Sequence, residues 1–181
     1  MRCFVAIDLP EELQAKAKNF QRLLAFPNVK LVRPENLHLT LLFLGELDEA
    51  KLRAVKLALA GVSFPKFEIF IKGLSCFPSF SSPRVIYLSC HSKLLSELAS
   101  EVERKLLPLG IRRDKPFVAH LTLARVKGKT SERLFKVLEE HRNMELGNFV
   151  ATEFKLKRSV LTPSGPIYSD LLVIKLGDKR N

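Results

Sequence analysis

One short segment occurs twice in the chain, and it constrains the fold more than any other feature. His38-Leu39-Thr40-Leu41 is repeated as His120-Leu121-Thr122-Leu123, although the sequence contains only four histidines. Each copy lies inside an apolar stretch, near the middle of a similar run of helical and extended patterns. A repeat of this kind is typical of two related structural units. We therefore expect two lobes, each carrying one copy of the motif.

The apolar residues around the motifs predict alternating strands and helices. Helical spacing begins near Pro10 and near Asp48, and it returns over residues 92–107 and 130–141. Extended runs are predicted at residues 4–9, 29–32, 36–44, 66–74, 84–90, 117–126, 149–161 and 167–176. The chain is thus predicted to be a mixed α/β protein, and we treat residues 1–181 as a single two-lobed domain.

Alternate side chains of a strand point to opposite faces. His38 and Thr40 therefore share one face of the first motif strand, and His120 and Thr122 share one face of the second. The same alternation places the intervening leucines and Phe43 in the core. Two such strands facing each other would form a cleft with two imidazoles and two hydroxyls.

This set of side chains suits phosphoryl transfer without a metal. Imidazole titrates near neutrality, so one histidine can take a proton from an attacking water while the other protonates the leaving oxygen. The threonine hydroxyls can donate hydrogen bonds to phosphate oxygens, and an arginine would neutralise their charge. Arg125 follows Thr122 closely, but it has the parity of Leu121 and Leu123. It reaches the cleft only if the strand twists, bulges or ends there.

Two other interpretations of the motif histidines are weaker. A single histidine in an apolar strand is commonly a core residue with satisfied hydrogen bonds, but two copies in register favour a shared functional site. Metal binding is disfavoured because the sequence has no HxH, HExxH or DxD segment. Hydrolytic metal sites usually recruit carboxylates or three histidines. We therefore expect neither a metal nor a cofactor.

The formal net charge of +11 favours a polyanionic partner such as RNA. Basic residues cluster near the second motif and again towards the C-terminus, at Arg112, Arg113, Lys115, Arg125, Lys127, Lys129, Lys155, Lys157 and Arg158. They could line a groove for an RNA backbone, or they could form an ordinary solvated face. Phe43 and Phe117 could stack on a base, but their strand parity favours core packing.

The cysteines and the apolar runs indicate where such a chain resides. Three cysteines without a CxxC spacing indicate free thiols in a reducing compartment rather than a disulfide framework. No apolar run approaches the length of a membrane span, and Asp8 interrupts the first apolar stretch too early for a secretory signal. These features favour the cytoplasm, and we expect no membrane partner.

Both motifs, with weaker signals at the two ends of the chain, resemble a known group of enzymes. The chain is similar to the two-histidine phosphoesterase superfamily, most closely its bacterial and archaeal RNA 2′,3′-cyclic phosphodiesterases, also called 2′-5′ RNA ligases. The resemblance is carried by Arg2-Cys3-Phe4-Val5-Ala6-Ile7, His38-Leu39-Thr40-Leu41-Leu42-Phe43-Leu44-Gly45, His120-Leu121-Thr122-Leu123-Ala124-Arg125, Arg158-Ser159-Val160-Leu161 and Gly165-Pro166-Ile167-Tyr168. It implies two pseudo-symmetric lobes, each an antiparallel-rich sheet with helices outside, and an active cleft between them.

The same resemblance implies hydrolysis of an RNA 2′,3′-cyclic phosphate end to a 2′-phosphate. It assigns His38 as the proton donor and His120 as the proton acceptor, with Thr40, Thr122 and Arg125 binding the substrate. Some members of the group join RNA ends through a 2′-5′ bond, for which a ribose 5′-hydroxyl replaces water. Symmetry within one chain removes any need for a second copy to complete the site, so we expect a monomer.

Two alternative functions stay open. The same site could act on a small cyclic nucleotide, and comparing a mononucleotide with an oligonucleotide would distinguish this case. The chain could instead be a non-catalytic RNA- or nucleotide-binding module, which would bind without turnover. The complete His and Thr pairs argue against the module, because binding alone needs no acid and base.

Overall fold

The computed structural model describes residues 1–177, so the last four residues of the predicted 1–181 domain lie outside the described part. The strands are β1 (Arg2–Asp8), β2 (Val29–Leu31), β3 (His38–Glu46), β4 (Phe67–Phe77), β5 (Val85–His91), β6 (His120–Val126), β7 (Glu145–Ala151), β8 (Glu153–Thr162) and β9 (Gly165–Lys175). The helices are α1 (Glu11–Gln21), α2 (Glu49–Ala60), α3 (Lys93–Leu106) and α4 (Glu132–Glu140). Short 3-10 helices occupy Arg22–Leu24, Pro34–Asn36 and Leu107–Leu109.

The strands form two antiparallel sheets, and each sheet contains one motif strand. The first sheet has the order β3-β1-β8-β9, and the second sheet has the order β2-β6-β5-β4-β7. Neighbouring strands pair antiparallel throughout both sheets. The predicted arrangement of two lobes with antiparallel sheets, one motif in each, is confirmed.

Each sheet takes strands from a distant part of the chain. β8 and β9 complete the first sheet, although they follow every strand of the second sheet in sequence. β2 comes from the first part of the chain and pairs with β6 at the edge of the second sheet. The lobes are therefore not the two halves of the chain, and the order of elements is repeated only in part.

The single strand predicted over residues 149–161 is wrong. Two strands, β7 and β8, are separated at Thr152 and belong to different sheets. The carbonyl oxygen of Thr152 accepts a hydrogen bond from the N–H of Leu176 at 2.8 Å, at the point where the chain crosses between sheets. Residues 149–161 contain no glycine or proline that would mark this crossing. Apolar alternation continues across it, and the pattern alone does not distinguish one long strand from two.

The helices begin close to their predicted positions. Asp48 caps α2 and Ser131 caps α4, each accepting a hydrogen bond from the backbone N–H three residues later, at 2.7 and 3.1 Å. α1 ends at Gln21, and a 3-10 helix continues the chain to Leu24. No helix within residues 1–177 combines the length and the apolar character needed to cross a membrane.

One continuous apolar core joins both sheets and all four helices of the described chain. Its fully buried side chains include Ile7 and Leu39 in the first sheet, Ile86 and Leu88 in the second, and Leu59 on α2. Full burial of a side chain of this size is worth about 1.5–3 kcal/mol. The motif strands β3 and β6 lie next to each other where the lobes meet. This packing brings the two copies of the motif into one cleft.

Candidate active site

The motif strands place their histidines and threonines around one cavity. His38, Thr40, His120 and Thr122 are all half-buried there, whereas the leucine after each of them is buried. The cavity has a volume of about 240 Å³, and Arg125 also lines it. Its remaining lining comes from residues 30–33, Asn36, Phe43, residues 164–166 and Tyr168. The structure therefore brings together all five residues that the sequence singled out.

Both imidazoles are held by the backbone in the same way. The Nδ1 atom of His38 lies 2.6 Å from the carbonyl oxygen of Asn36, and the Nδ1 atom of His120 lies 2.6 Å from that of Val118. A carbonyl oxygen only accepts hydrogen bonds, so each Nδ1 carries a proton and donates it. The Nε2 atom is then the one left to exchange protons with a ligand. In His38 this atom lies 3.0 Å from the hydroxyl oxygen of Thr40, which donates to it when the ring is neutral.

A phenylalanine and a tyrosine pack against each imidazole. The ring centroid of His38 lies 5.0 and 5.4 Å from its two aromatic neighbours, and that of His120 lies 5.3 and 5.5 Å from its own. The neighbours are Phe4 and Tyr168 for the first ring, and Phe77 and Tyr87 for the second. These contacts restrict rotation of the imidazoles and repeat the symmetry of the motifs. No role was predicted for the four rings, because their positions depend on which strands become neighbours.

Burial lowers the pKa of His38 below its ordinary value, because the charged ring would lose solvation. The Asn36 carbonyl and the Asp8 carboxylate oppose this shift, since both favour the protonated ring. The positive charges of Lys157 and of a protonated His120 add to the lowering. Asp8 lies directly opposite His38 in the pairing of β1 with β3. The free site thus favours a neutral His38, and a bound anion would favour its protonation.

The Asp8 carboxylate belongs to a compact ionic cluster on the first sheet. Lys157 Nζ lies 2.9 Å from Asp8 and 2.8 Å from Asp170, and Lys155 Nζ lies 2.9 Å from each of the same carboxylates. Burial alone would raise the pKa of Asp170, but hydrogen bonds from the two lysines outweigh it and lower that pKa. Lys155 and Lys157 were grouped with a possible RNA groove on the sequence alone. They instead pair with carboxylates of this sheet, and Lys155 also lies 3.7 Å from the Glu153 carboxylate.

Each motif strand contains a bulge that changes which residues face the cleft. The pairing of β3 with β1 skips Leu41, which lies between the paired residues Thr40 and Leu42. The pairing of β6 with β5 skips Leu123 in the same manner. The skipped leucine and the residue after it are both buried in each strand. The parity of the strand is therefore reversed beyond the bulge.

The bulges carry Arg125 and Phe43 to the cleft side of their strands. Arg125 is exposed and lines the cavity, so the condition for it to reach the cleft is met by the bulge in β6. Phe43 is 69% exposed and lines the same cavity. The prediction that Phe43 packs in the core is wrong, because it assumed an unbroken two-residue period.

A buried glutamine supports the bulge of β6. Gln21 is 2% exposed, and its Nε2 donates hydrogen bonds to the carbonyl oxygens of Val32 and Leu123, each at 2.8 Å. Leu123 is the residue that the strand pairing skips. Gln21 on α1 thus holds the irregular backbone that turns Arg125 towards the cavity. Nothing in the sequence pattern linked Gln21 to the second motif, which lies far along the chain.

Asn36 connects His38 to the turn between β8 and β9. Its carbonyl oxygen accepts the bond from His38, and its side-chain amide donates to the carbonyl oxygen of Pro166 at 3.1 Å. Within residues 1–177, the buried polar or charged side chains are Gln21, Asn36 and Lys157. Each of them is bonded to a group beside a motif residue. Nothing in the sequence marks them, because each lies beside another polar or charged residue: Gln21 beside Arg22, Asn36 beside Glu35, and Lys157 beside Arg158.

A second and larger opening, which we call the groove, adjoins the cavity. It has a volume of about 900 Å³ and shares Thr40, Phe43 and His120 with the cavity. Its other lining residues are Leu41, Leu42, Phe77, Pro78, Arg84, Val85 and residues 112–118. The two motif strands therefore lie between two connected openings.

The basic residues predicted near the second motif divide between the groove and other surfaces. Arg112, Arg113 and Lys115 line the groove. Lys127 and Lys129 line neither opening, and their carbonyl oxygens accept hydrogen bonds from a side chain near β2. Only part of the basic group near the motif is therefore placed to meet a ligand in the cleft.

The cysteine thiols of the described residues are poorly suited to act as nucleophiles. The cysteines are all free and buried, and burial raises the pKa of Cys76 to about 11 and that of Cys90 to about 12. Such thiols stay protonated and are weak nucleophiles. No group of three or more His, Cys, Asp and Glu side chains within residues 1–177 is arranged to hold a metal ion.

Known proteins are similar in sequence to this chain over nearly its whole length. The profile of the family described as LigT like phosphoesterase matches residues 7–87 and again residues 89–168, so each match contains one motif. An RNA 2′,3′-cyclic phosphodiesterase of Archaeoglobus fulgidus is 43% identical over 177 residues, covering 97% of this chain and 100% of that relative. One of Methanocaldococcus jannaschii is 37% identical over 169 residues, covering 93% and 96% of the two chains.

A solved structure shares the fold over the same extent. The crystal structure of TT0787 of Thermus thermophilus matches with a TM-score of 0.86 at 33% sequence identity. The match covers 99% of this chain and 100% of that chain. Both sheets, the cleft and the two motifs fall inside the matched region.

Proposed function

The chain belongs to the LigT-like phosphoesterase family, and we propose that it hydrolyses the 2′,3′-cyclic phosphate at the end of an RNA, leaving a 2′-phosphate. The observation that carries this proposal is the pair of imidazoles at one cavity, each with its Nδ1 proton donated to a backbone carbonyl. Each Nε2 is thereby left to take or give a proton. The relatives named RNA 2′,3′-cyclic phosphodiesterase support the choice of substrate.

The proton transfers follow from the two imidazoles. His120 Nε2 takes a proton from a water molecule as its oxygen forms a bond to phosphorus. The bond between phosphorus and the ribose O3′ breaks, and His38 Nε2 gives its proton to that oxygen. The phosphate remains on O2′, and no metal is involved. Each positioned acid or base contributes roughly 10²–10⁴-fold to the rate.

Thr40, Thr122 and Arg125 bind the phosphate in this proposal. Negative charge builds on the non-bridging oxygens during attack, and hydroxyl donors aimed at those oxygens stabilise it. The guanidinium of Arg125 can pair with two oxygens at once. The Thr40 hydroxyl is bonded to His38 in the free cleft. Turning this hydroxyl to the phosphate would release the Nε2 atom of His38 for its role as proton donor.

The same proposal extends to the setting of the reaction. The partner is an RNA with a cyclic-phosphate end, and the formal charge of +11 favours such a polyanion. One copy of residues 1–181 acts as a single catalytic domain, since the residues of the site come from one chain with a continuous core. The free cysteines favour the reducing cytoplasm as its location.

The test uses a short RNA ending in a 2′,3′-cyclic phosphate, incubated with the protein in excess EDTA. The position of the phosphate in the product is identified, and His38→Ala and His120→Ala are assayed beside the parent. His91→Ala is the matched control, because His91 is an exposed histidine outside the cavity and the groove.

We expect a 2′-phosphate from the parent and from His91→Ala, and a loss of roughly 10²–10⁴-fold in each motif variant. A 3′-phosphate product would mean that O2′, rather than O3′, is the leaving oxygen. Activity that EDTA abolishes, or that survives both motif substitutions, would exclude this mechanism. Binding of the RNA without turnover by the folded parent would favour a binding module instead.

Ligation is a second reaction that the same site could perform. The motif strands lie between two connected openings, which leaves room for a second RNA end beside the cyclic phosphate. A ribose 5′-hydroxyl would then replace water, giving its proton to His120 while His38 protonates O3′. Incubation with a 5′-hydroxyl oligonucleotide should yield a product joined by a 2′-5′ bond. If that product is absent under conditions that give full hydrolysis, the site accepts water but not a ribose 5′-hydroxyl as the attacking group.

A further inference from the structure

The groove has a lining of the kind that binds single-stranded nucleic acid. Phe43, Phe77 and Phe117 contribute aromatic surface to it. Arg112 and Lys115 are exposed on its wall. Proteins that bind single strands combine aromatic rings, on which bases stack, with basic side chains along the backbone. The groove therefore has the chemistry of a surface for unpaired RNA.

Some basic residues of the groove are engaged within the protein, and others are available. Arg113 donates hydrogen bonds to the Glu103 carboxylate and lies 5.3 Å from the centroid of the Phe117 ring. This arrangement fixes the orientation of the ring on the groove wall. Arg112 and Lys115 form no side-chain hydrogen bond or ion pair with any residue in the described range 1–177. Among the described residues that line the groove, Asp114 is the single acid. The charge offered to a ligand is therefore positive.

The relative sizes of the two openings indicate the direction of an RNA strand. A 2′,3′-cyclic phosphate is the last group of its RNA strand. The rest of the strand therefore extends away from the two histidines in one direction only. The cavity holds about 240 Å³ and is bordered by residues 30–33 and 164–166. The groove holds about 900 Å³ and begins at His120 and Phe43. The groove is thus the opening with room for further nucleotides.

We propose that the groove binds the RNA strand on the 5′ side of the cyclic-phosphate nucleotide, with Arg112 and Lys115 at its phosphates and the phenylalanine rings against its bases. This proposal rests on the proposed function, because it concerns the substrate of the same site. It makes the protein selective for an oligonucleotide over a free cyclic mononucleotide. The selectivity arises away from the reacting atoms, at side chains that take no part in proton transfer.

The test compares two substrates that share one terminal nucleotide: a nucleoside 2′,3′-cyclic phosphate and a trinucleotide with that end. The double variant Arg112→Glu/Lys115→Glu is assayed with both. Lys16→Glu/Lys18→Glu is the matched control, since both lysines are exposed on α1, outside the lining of either opening, and the net charge changes equally. Binding of a labelled trinucleotide carrying a 2′-phosphate is measured in parallel.

We expect the groove variant to lose roughly tenfold or more in kcat/KM for the trinucleotide at low salt, with no change for the mononucleotide. The salt dependence of binding should also become flatter, by a log–log slope of about 0.7 for each phosphate contact removed. The control should match the parent with both substrates. An equal loss with both substrates, or no loss with either, would overturn the proposal.

The experiment distinguishes a groove that does not bind the RNA strand from a protein that lacks the proposed hydrolytic activity. A parent that binds the trinucleotide through the groove but hydrolyses neither substrate contradicts the function and leaves the groove supported. A parent that hydrolyses both substrates, with a selective loss in Lys30→Glu/Arg33→Glu instead, places the strand on the cavity side and excludes the groove. Lys30 and Arg33 line only the cavity, so the two variant pairs report on separate openings.

Discussion

Phe43 and Arg125 occupy equivalent positions in the two motif strands, each five residues after its histidine and each turned into the cleft by a bulge. The skipped residues Leu41 and Leu123 are equivalent as well. The two lobes thus use one backbone device to present different chemistry: an aromatic ring from the first lobe and a guanidinium from the second. The symmetric cleft thereby becomes suited to a ligand that has a base on one part and a phosphate on another.

Replacing Arg125 by alanine should lower kcat/KM on a cyclic-phosphate RNA by roughly 10²–10³-fold, as loss of one transition-state donor does in other enzymes. The side chain is exposed, so the free energy of unfolding should change little. Arg125→Lys keeps the charge but loses the bidentate geometry, and it should recover only part of the activity. Full activity in Arg125→Ala would show that the bulge of β6 serves another purpose.

Replacing Phe43 by leucine should weaken RNA binding without weakening the fold. The ring is 69% exposed, so little core packing is lost. Base–aromatic stacking is worth about 1–3 kcal/mol per base, which corresponds to a rise of roughly 5- to 150-fold in the KM for RNA. Steady-state kinetics with one RNA substrate and urea denaturation of the same variant would measure both effects. A fall in stability with an unchanged KM would assign Phe43 to packing instead.

Much of the site followed from the sequence because it depends on local periodicity. His38 and Thr40, like His120 and Thr122, are two residues apart, so any strand through them places both on one face. A bulge breaks that rule. The position of a bulge depends on the pairing of β1 with β3 and of β5 with β6. The alternation of apolar residues within one strand does not predict this pairing. The parity of Phe43 was therefore mispredicted, although the motif residues nearby were not.

The overall architecture could likewise be predicted in part from the sequence. The existence of most strands and helices follows from apolar spacing, and the repeated motif correctly indicated two lobes. The exchange of strands between lobes could not be predicted, because β7 and β8 read as one extended run across Thr152. Gln21 was missed for a related reason: its hydrogen-bond partner Leu123 becomes a neighbour only after the sheets have formed.

Replacing Gln21 by methionine should test whether the bulge of β6 positions Arg125. The carbonyl oxygens of Val32 and Leu123 would lose their side-chain donor, but Leu123 keeps the bond from the Val32 N–H at 2.9 Å. One carbonyl, that of Val32, is then left unsatisfied, which costs about 1–3 kcal/mol of stability. We also expect a lower kcat/KM that is not additive with Arg125→Ala, because both changes remove the same positioned guanidinium. Additive losses in this double-mutant cycle would show that Gln21 affects activity independently of Arg125, and an unchanged kcat/KM in Gln21→Met would show that it acts on stability alone.

The pKa of His38 should be measurably low in the free protein and should rise when an anion binds. Burial disfavours the imidazolium, so the histidine titrates below its ordinary value. The folded state then binds fewer protons at this site than the unfolded chain. Stability contributed here is therefore lost as the pH falls from the unfolded pKa towards the lower folded one. A phosphate in the cavity would favour the charged ring and reverse the shift.

An NMR titration of the histidine Cε1–H signals, with and without inorganic phosphate, checks this expectation, and His38→Gln assigns the signal. Asp8→Asn should lower the His38 pKa further, because it removes the opposing negative charge on the neighbouring strand. An ordinary pKa in the free protein, or an unchanged one in Asp8→Asn, would contradict the electrostatic description of the site.

Replacing Lys157 by methionine should destabilise the protein through the ionic cluster. Lys157 is 6% exposed and pairs with Asp8 and Asp170 at 2.9 and 2.8 Å. Breaking a buried pair costs about 3–5 kcal/mol, but both carboxylates keep Lys155 as a partner and are about one third exposed. We therefore expect a loss of about 1–3 kcal/mol in urea denaturation at neutral pH.

The pH dependence of that loss identifies its origin. The folded pKa of Asp170 is depressed by the lysines, so this stabilisation is present above the carboxylate's unfolded pKa and is lost as the pH falls through the folded one. The difference between parent and Lys157→Met should therefore shrink in acid. Lys175→Met is the matched control, because the Lys175 side chain is exposed and its pair with the partly buried Glu153 should be worth less than about 1 kcal/mol. A pH-independent difference would mean that Lys157 contributes through its apolar stem rather than through its charge.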